Sequence, residues 1–383
     1  MADELIARID RAGEKAEALC SIALTLCQGI GHRGAKRLID ELGSAEAVFR
    51  QRRQITELIP DATSRVAEAL DDVEAFERAC SELEFAGSKN ISCLTLQDEA
   101  YPLRLKECPD APVVLFHKGA ADLNRRHVLA MVGTRRATDY GRQFCAAFLR
   151  DMAAACPDVL VVSGLAYGID IHAHRAALAE GLPTVGVLAH GLDRIYPHPH
   201  RQTAVEMLAG GGLLTEFLSQ TTPEPFNFVQ RNRIVAGMSD AVLVVESAAK
   251  GGALITADLA VGYGRDCFAV PGRTGDMNSV GCNQLIRDSK AGLVQDAGDF
   301  LNAMGWQSAG KKKPEAVQRE LFADLTGEEL KLVSLLQQLG DAHVNTLVVQ
   351  SGIPVSKMSM LLFGLEMKGV VRAMVGGLYR LLS

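Results

Sequence analysis

Apolar residues recur at helical spacing through the first 88 positions, after which the period changes. CSIALTLCQGIGHRGAKRLIDELGSAEAVF holds two apolar helical stretches joined by Gly29-Ile30-Gly31. DATSRVAEALDDVEAFERACSELEFAG continues the same period to about Gly87. A short strand, ISCLTL, follows, and a proline-punctuated connection leads to a second, VVLFH. From residue 127 short apolar runs alternate with helical ones. HVLAMVG, DVLVVSG, TVGVLAHG, GGLLTEF, DAVLVVES and DCFAVPG are rich in Val and Leu, and most end in glycine. TDYGRQFCAAFLRDMAAAC and IDIHAHRAALAEG lie between them. This alternation predicts an α/β fold: a doubly wound, mostly parallel sheet covered on both faces. Its glycine loops gather at the carboxyl edge, where such sheets bind ligands.

The sheet pattern ends near Leu301. GWQSAGKKKPEAVQRE is polar and reads as a linker. Three helices follow (EELKLVSLLQQLG, NTLVVQSG and SKMSMLLFGLEMKG), and VVRAMVGGLYRLL closes as two strands about Gly376-Gly377. That is the plan of a winged helix. The expected organisation is therefore a helical, helix-hairpin-helix/SAM-like domain at 1–88, an α/β domain at 89–304, a linker at 305–320 and a winged-helix-like domain at 321–383.

With 383 residues the chain is too long for one compact core, and 48% apolar residues suffice to fill several. No run of about 18 apolar residues could span a bilayer, and the charged start MADELIARIDRAGEKAE lacks the apolar core of a signal peptide. Nine scattered cysteines without a CxxC pair suggest reduced thiols and a cytoplasmic location. The net charge of −6 argues against a chain-wide nucleic-acid coat but leaves room for a local basic groove. Residues 1–88 carry 11 Lys+Arg against 17 Asp+Glu. Residues 121–300 carry 16 against 18, and the cations there are almost all arginine. The planar guanidinium fork suits two-point binding of phosphate.

Four glycine-rich loops carry the candidate chemistry. AMVGTRRATDYG places Gly133, Thr134, Arg135 and Arg136 between a strand and a helix, where glycine lets a ligand approach and a helix start offers N–H groups to an anion. The plain alternative is two surface arginines beside a turn. VVSGLAYGIDIHAHRAAL repeats the device with Ser163, Gly164 and Tyr167. His172 and His174 there face different sides of a helix, so no metal site is expected. ESAAKGGALITADLA reads as a third phosphate loop with Lys250, Gly251 and Thr256, and VPGRTGDMNSVGCNQLI as a fourth, with Arg273 and Asn283. Ser247-Ala-Ala-Lys250 lacks the partner motifs of penicillin-binding enzymes and is chance. Gly29-x-Gly31-x-x-Gly34 matches the dinucleotide fingerprint without its strand context and reads as a helix-hairpin-helix turn.

FNFVQRNRIVAG puts Arg231, Asn232 and Arg233 after Phe226 and Phe228. Two residues apart near a helix start, the arginines diverge: one can reach an anion while the other braces the loop through a carboxylate such as Glu246 or Asp240. Which does which stays open. An exposed ring would stack a base, contributing about 1–3 kcal/mol, whereas a buried one is core. No nucleophile–base pair accompanies these loops, so binding is favoured over catalysis.

VGTRRATDYG, SGLAYGIDIHAHRAAL, AHGLDRIYP, TEF…P…F…RNRIVAG, VVES…GGALITADLA and AVPG…SVGCNQLI stand in one order. Together they closely resemble the DNA-processing protein A (DprA/Smf) family over about residues 90–300, and the flanking modules match its common architecture. The resemblance implies a Rossmann-like core that binds single-stranded DNA without catalysis or cofactor, protects incoming strands in natural transformation and helps load RecA. It also implies a homodimer formed through that core. Arg135, Gly164, Arg231, Asn232 and Arg233 match the family's DNA-pocket motifs. Tyr167 stands where the family often has arginine, and Val229 where it usually has proline. The rival reading is a nucleotide phosphoribohydrolase on a related core, but KGGALITADLA lacks the glutamate that its PGGxGTxxE loop uses. In the winged helix the presumed recognition helix offers only Lys357 and Lys368. A protein-interaction or weak DNA role fits it better than strong duplex binding.

Overall fold

A computed structural model describes residues 2–60, 62–306, 325–374 and 376–382. From residue 307 the expected linker lies outside the described residues, as does the start of the last domain at 321–324. The chain forms two compact units, Met1–Asn124 with Val185–Ile234, and Arg125–Thr184 with Val235–Ser383. The strand-rich stretch grouped as one domain in the sequence is thus shared between them.

The first unit opens with helices, as the early periodicity demands. Ala16–Leu26 and His32–Leu42 flank the Gly29-Ile30-Gly31 turn, and Val73–Ser88 closes the helical part. Phe49 and Phe76 meet edge to face at 4.7 Å in its core. Strand β1 (Ser92–Thr95) pairs antiparallel with β2 (Val114–Gly119), and β2 antiparallel with β6 (Gly212–Thr215). β6 then pairs in parallel with β5 (Thr184–Val187). Glu82 on the last helix accepts the Ser219 N–H at 2.9 Å and its hydroxyl at 2.6 Å. That buried carboxylate fastens the helical part to the segment after β6.

In the second unit, β3 (Val128–Val132) lies between β4 (Leu160–Ser163) and β7 (Ala241–Val244). β8 (Asp266–Ala269) and β9 (Gly292–Leu293) follow, all in parallel. Val128–Val132, Leu160–Ser163 and Ala241–Val244 are buried throughout, the signature of strands covered on both faces. Leu129, Met131, Phe148, Ile169, Leu243, Phe268 and Phe300 build the core beneath the Asp139–Ala155 and Ile169–Ala179 helices.

The carboxyl-terminal segment is a winged helix. Helices Gly327–Leu339, Val344–Ser351 and Val355–Met367 pack on a sheet of β10 (Ala342–His343), β11 (Val371–Ala373) and β12 (Leu378–Leu381). Thr326 and Glu329 form a reciprocal capping box at its first helix. It docks within the second unit at the amino ends of the strands. Asn345 Nδ2 donates to the Asp240 carbonyl at 3.0 Å, ahead of β7, and His343 meets the Asp266 carboxylate at the start of β8. Among the described residues no single helix is long and apolar enough to cross a membrane.

Candidate nucleic-acid interface

In the second unit the loops after β4, β3, β7 and β8 lie side by side at the carboxyl edge, because the strands that feed them are neighbours and parallel. Gly133 ends β3 where no larger residue fits, since a Cβ there would stand 2.4 Å from Ile169 Cγ1. The Thr134 N–H donates to the Glu246 carbonyl at 2.7 Å, and the Ile169 N–H to the Thr134 carbonyl at 3.1 Å. Glu246, buried just beyond β7, takes the Thr138 N–H at 2.9 Å and the Thr138 hydroxyl. The Arg136 N–H donates to Thr134 Oγ1 at 3.2 Å. These amides therefore serve protein acceptors instead of the free anion cradle expected at the helix start. What the loop presents to solvent is the side chains of Arg135 and Arg136, both exposed.

The second loop interlocks with the first. Gly168 adopts φ +78°, and a Cβ there would meet the Thr134 carbonyl oxygen at 2.0 Å. Ser163 is buried with its hydroxyl on the Met131 carbonyl at 2.6 Å, and the Gly164 N–H is held by Asp170 Oδ2 at 3.1 Å. Tyr167 is 46% exposed. In the third loop Lys250 is exposed, Gly251 caps the Gly252–Gly262 helix, and Thr256 is buried with its hydroxyl on the Gly252 carbonyl at 3.4 Å. Thr256 thus acts inside the helix. Asn283 clasps the fourth loop through both polar groups of Gly272, at 3.2 and 3.0 Å, and leaves Arg273 exposed. Tyr140 was not singled out in the sequence. It is 48% exposed one turn after the arginines and donates its hydroxyl to the Pro271 carbonyl at 2.9 Å. A tyrosine following TRRATD at a helix start was the available signal.

The first unit holds the RNR segment, on the Pro225–Gly237 helix. Its two arginines point inward. Arg231 is 4% exposed and donates to the Val187 carbonyl; Arg233 is 6% exposed and bridges the Asp110 carbonyl and the Glu216 carboxylate. The expected brace exists, but its carboxylate is Glu216, since Glu246 holds Thr138 and Asp240 accepts the Val128 N–H at 2.8 Å. Burial pushes the Glu216 carboxyl up, and Arg233 opposes it. His32 lies 3.6 Å from that carboxylate and 2.8 Å from Gln230 Nε2; burial, with Arg233, lowers it to about 4, so it is neutral near pH 7. Asn232 is half-buried. Phe228 is partly buried with its ring 6.0 Å from that of Tyr196, while Phe226 is 72% exposed and is the ring open to solvent.

The model of the DNA recombination-mediator protein A family matches residues 92–305, more than half of the chain. The chain belongs to that family. The DprA winged helix domain matches residues 319–377. Protein Smf of Escherichia coli is 34% identical over 296 residues, covering 76% of this chain and 78% of its own length. DNA processing protein DprA of Streptococcus pneumoniae is 38% identical over 207 residues, 54% of this chain and 72% of its own. Among solved structures, that of S. pneumoniae DprA superposes with a TM-score of 0.56 at 30% identity, over 71% of this chain and 98% of that one. The DNA processing protein A of Helicobacter pylori, whose structure concerns its single-stranded DNA binding mode, gives 0.50 at 29% identity, over 55% and 94%. Family membership brings the Rossmann-like reading of the sheet and the winged helix together in one protein.

Proposed function

We propose that this protein is a non-catalytic, cytoplasmic mediator of recombination that binds single-stranded DNA, protects incoming strands during DNA uptake and loads RecA on them, working as a homodimer through its Rossmann-like region. The observation that carries the reading is the pair Arg135 and Arg136, exposed on a loop whose backbone is locked by Glu246 and Gly168. Guanidinium groups carried on a backbone already held in place can grip phosphates while sparing the loop itself the cost of ordering. Lys250 adds a third cation from the neighbouring loop. Gly133, Thr134, Ser163, Gly164 and Gly251 shape the loops, and Thr256 anchors the helix behind the third. Tyr167 supplies a ring in place of a charge, and Phe226 supplies one in the first unit; both suit base stacking, which tolerates any sequence. Arg231, Asn232, Arg233 and Phe228 act by holding the segment that presents Phe226.

A gel-shift series with single-stranded and duplex oligonucleotides, repeated over a range of salt, tests this. Single strands should bind more tightly, and affinity should fall with salt by a log–log slope of about −0.7 per neutralised phosphate. Salt-independent binding, or none, would remove the reading. Loading is tested separately by RecA assembly on strands coated with a single-strand-binding protein. Failure to accelerate that assembly removes the loading role alone.

A further inference from the structure

We propose that His127, Cys156 and Asp158 form a site for a thiophilic divalent metal ion of the zinc class. His127 immediately precedes β3, Cys156 closes the Asp139–Ala155 helix, and Asp158 lies just before β4. All three therefore stand at the amino ends of the second unit's strands, opposite the glycine loops. One imidazole nitrogen, the thiol sulfur and a carboxylate oxygen lie within 4.8 Å of one another. In a tetrahedral zinc site, bonds of about 2.0–2.3 Å put neighbouring donors about 3.5 Å apart. Closing the triad thus asks for about an ångström of side-chain rotation and no change of fold.

The backbone around the donors is already fixed. The Leu160 N–H donates to the His127 carbonyl at 2.8 Å, the Val159 N–H to the Cys156 carbonyl at 3.2 Å, and the Cys156 N–H to the Met152 carbonyl at 2.7 Å. Arg125 holds the Asp158 carbonyl at 3.2 Å, and the Trp306 ring lies 4.5 Å from the His127 imidazole and sets its plane. His127 and Cys156 are buried, and Asp158 is exposed. Two donors are therefore pre-placed, while the third faces solvent, where an ion enters and a water completes the coordination.

The donor set decides the metal class. Imidazole, thiolate and carboxylate together are borderline-soft; they suit zinc or cobalt and disfavour magnesium and calcium, which take oxygen. Cys156 Sγ already directs its proton to Asp158 Oδ1 at 3.3 Å. Binding therefore replaces the thiol proton by the ion: the S–H bond breaks, a sulfur–metal bond forms, one proton leaves to water and no electron is transferred. The donors come from two stretches of the chain 29 residues apart, His127 in one and Cys156 and Asp158 in the other, which is why no ligand spacing marks the site in the sequence and why the sequence reading expected no metal.

The test is titration of the metal-stripped, full-length protein with cobalt(II), followed by absorbance. Saturation is expected at about one ion per chain with a sulfur-to-cobalt charge-transfer band in the near ultraviolet, and zinc should abolish it. Cys156→Ser should remove the band, and Asp158→Asn should weaken binding at least tenfold, on the order of what loss of a supporting group costs. Circular dichroism checks that Cys156→Ser is folded. Asp158 is exposed, so Asp158→Asn reads the site even if the cysteine variant is not. No sulfur-to-cobalt band in the parent protein, a band retained in folded Cys156→Ser, or unchanged affinity in Asp158→Asn overturns the proposal. None of these outcomes depends on DNA binding.

Discussion

Thr138 hangs from Glu246, which takes both its backbone N–H, at 2.9 Å, and its hydroxyl. The carboxylate is buried, so Glu246→Ala strips two part-buried donors of their acceptor. The expected cost is about 1–3 kcal/mol, read as a lower urea midpoint. Single-stranded DNA affinity should fall with it, because the loop that presents Arg135 and Arg136 is released. An unchanged midpoint would mean that Glu246 does not hold this loop.

Arginines in the two units should behave in opposite ways. Arg135→Ala and Arg136→Ala remove exposed charges and should leave thermal stability within about 0.5 kcal/mol. Each should weaken single-strand binding and make the salt slope shallower by about 0.7 for every phosphate no longer neutralised. Arg233→Ala instead leaves Glu216 buried without its cation, which costs about 3–5 kcal/mol. Calorimetry and a binding isotherm on each variant separate the two classes. If Arg233→Ala were stable and defective only in DNA binding, the inward role assigned to it would fail.

His32 gives a pH signature. Its folded pKa, about 4, lies below the ordinary 6.5, so between these values the unfolded chain holds the proton more strongly. Its contribution to stability is complete above about pH 6.5 and is lost as pH falls toward 4. The groups facing it are Glu216, Arg233, Asp110 and Gln230. Glu216 runs the other way: its folded pKa is raised, so its contribution declines as pH rises above about 4.5. The stability difference between the parent and His32→Gln isolates the histidine. That difference should shrink as pH is lowered from about 7 to 5 in urea titrations. A pH-independent difference would contradict the assignment.

Lys357 and Lys368 should contribute nothing to duplex binding. Lys357 is paired with Glu328 at 2.7 Å, and Lys368 with both oxygens of Glu329 at 2.7 and 2.8 Å. Lys368 in turn holds the Glu329 carboxyl below its usual range. The exposed side of that helix carries Met360, Phe363 and Met367 instead of further cations. A double Lys357→Ala, Lys368→Ala variant should retain the parent's affinity for duplex and for single strands. A tenfold loss for duplex would restore a DNA role to this helix.

Alternating apolar runs were enough to recover the parallel strands, because β3, β4 and β7 are buried on both faces and can be little else. The winged helix was equally legible from three helical periods and a Gly376-Gly377 turn. The glycine loops could be located, since glycine at a strand end is a local signal. What Arg231 and Arg233 do was not legible: an inward and an outward arginine read alike until their acceptors are known. Those acceptors, Val187, Asp110 and Glu216, lie between 17 and 123 residues away. Glu246 was misassigned for the same reason, its partner Thr138 being 108 residues distant. Long-range pairing of polar groups leaves no periodicity behind.

The lacing of the glycine loops has a consequence for the nucleic acid itself. Gly168 against Thr134, Tyr140 on Pro271, the Gly281 N–H on the Ser247 carbonyl at 2.8 Å and Asn283 on Gly272 leave the protein edge little freedom to adapt. On the proposed function, conformity would then have to come from the strand, which would curve to the cations carried on that edge. A homopolymer of thymine, which stacks poorly and bends readily, meets that demand at less cost than one of adenine. The protein would thus rank sequences by their stiffness while making no hydrogen-bonded reading of their bases.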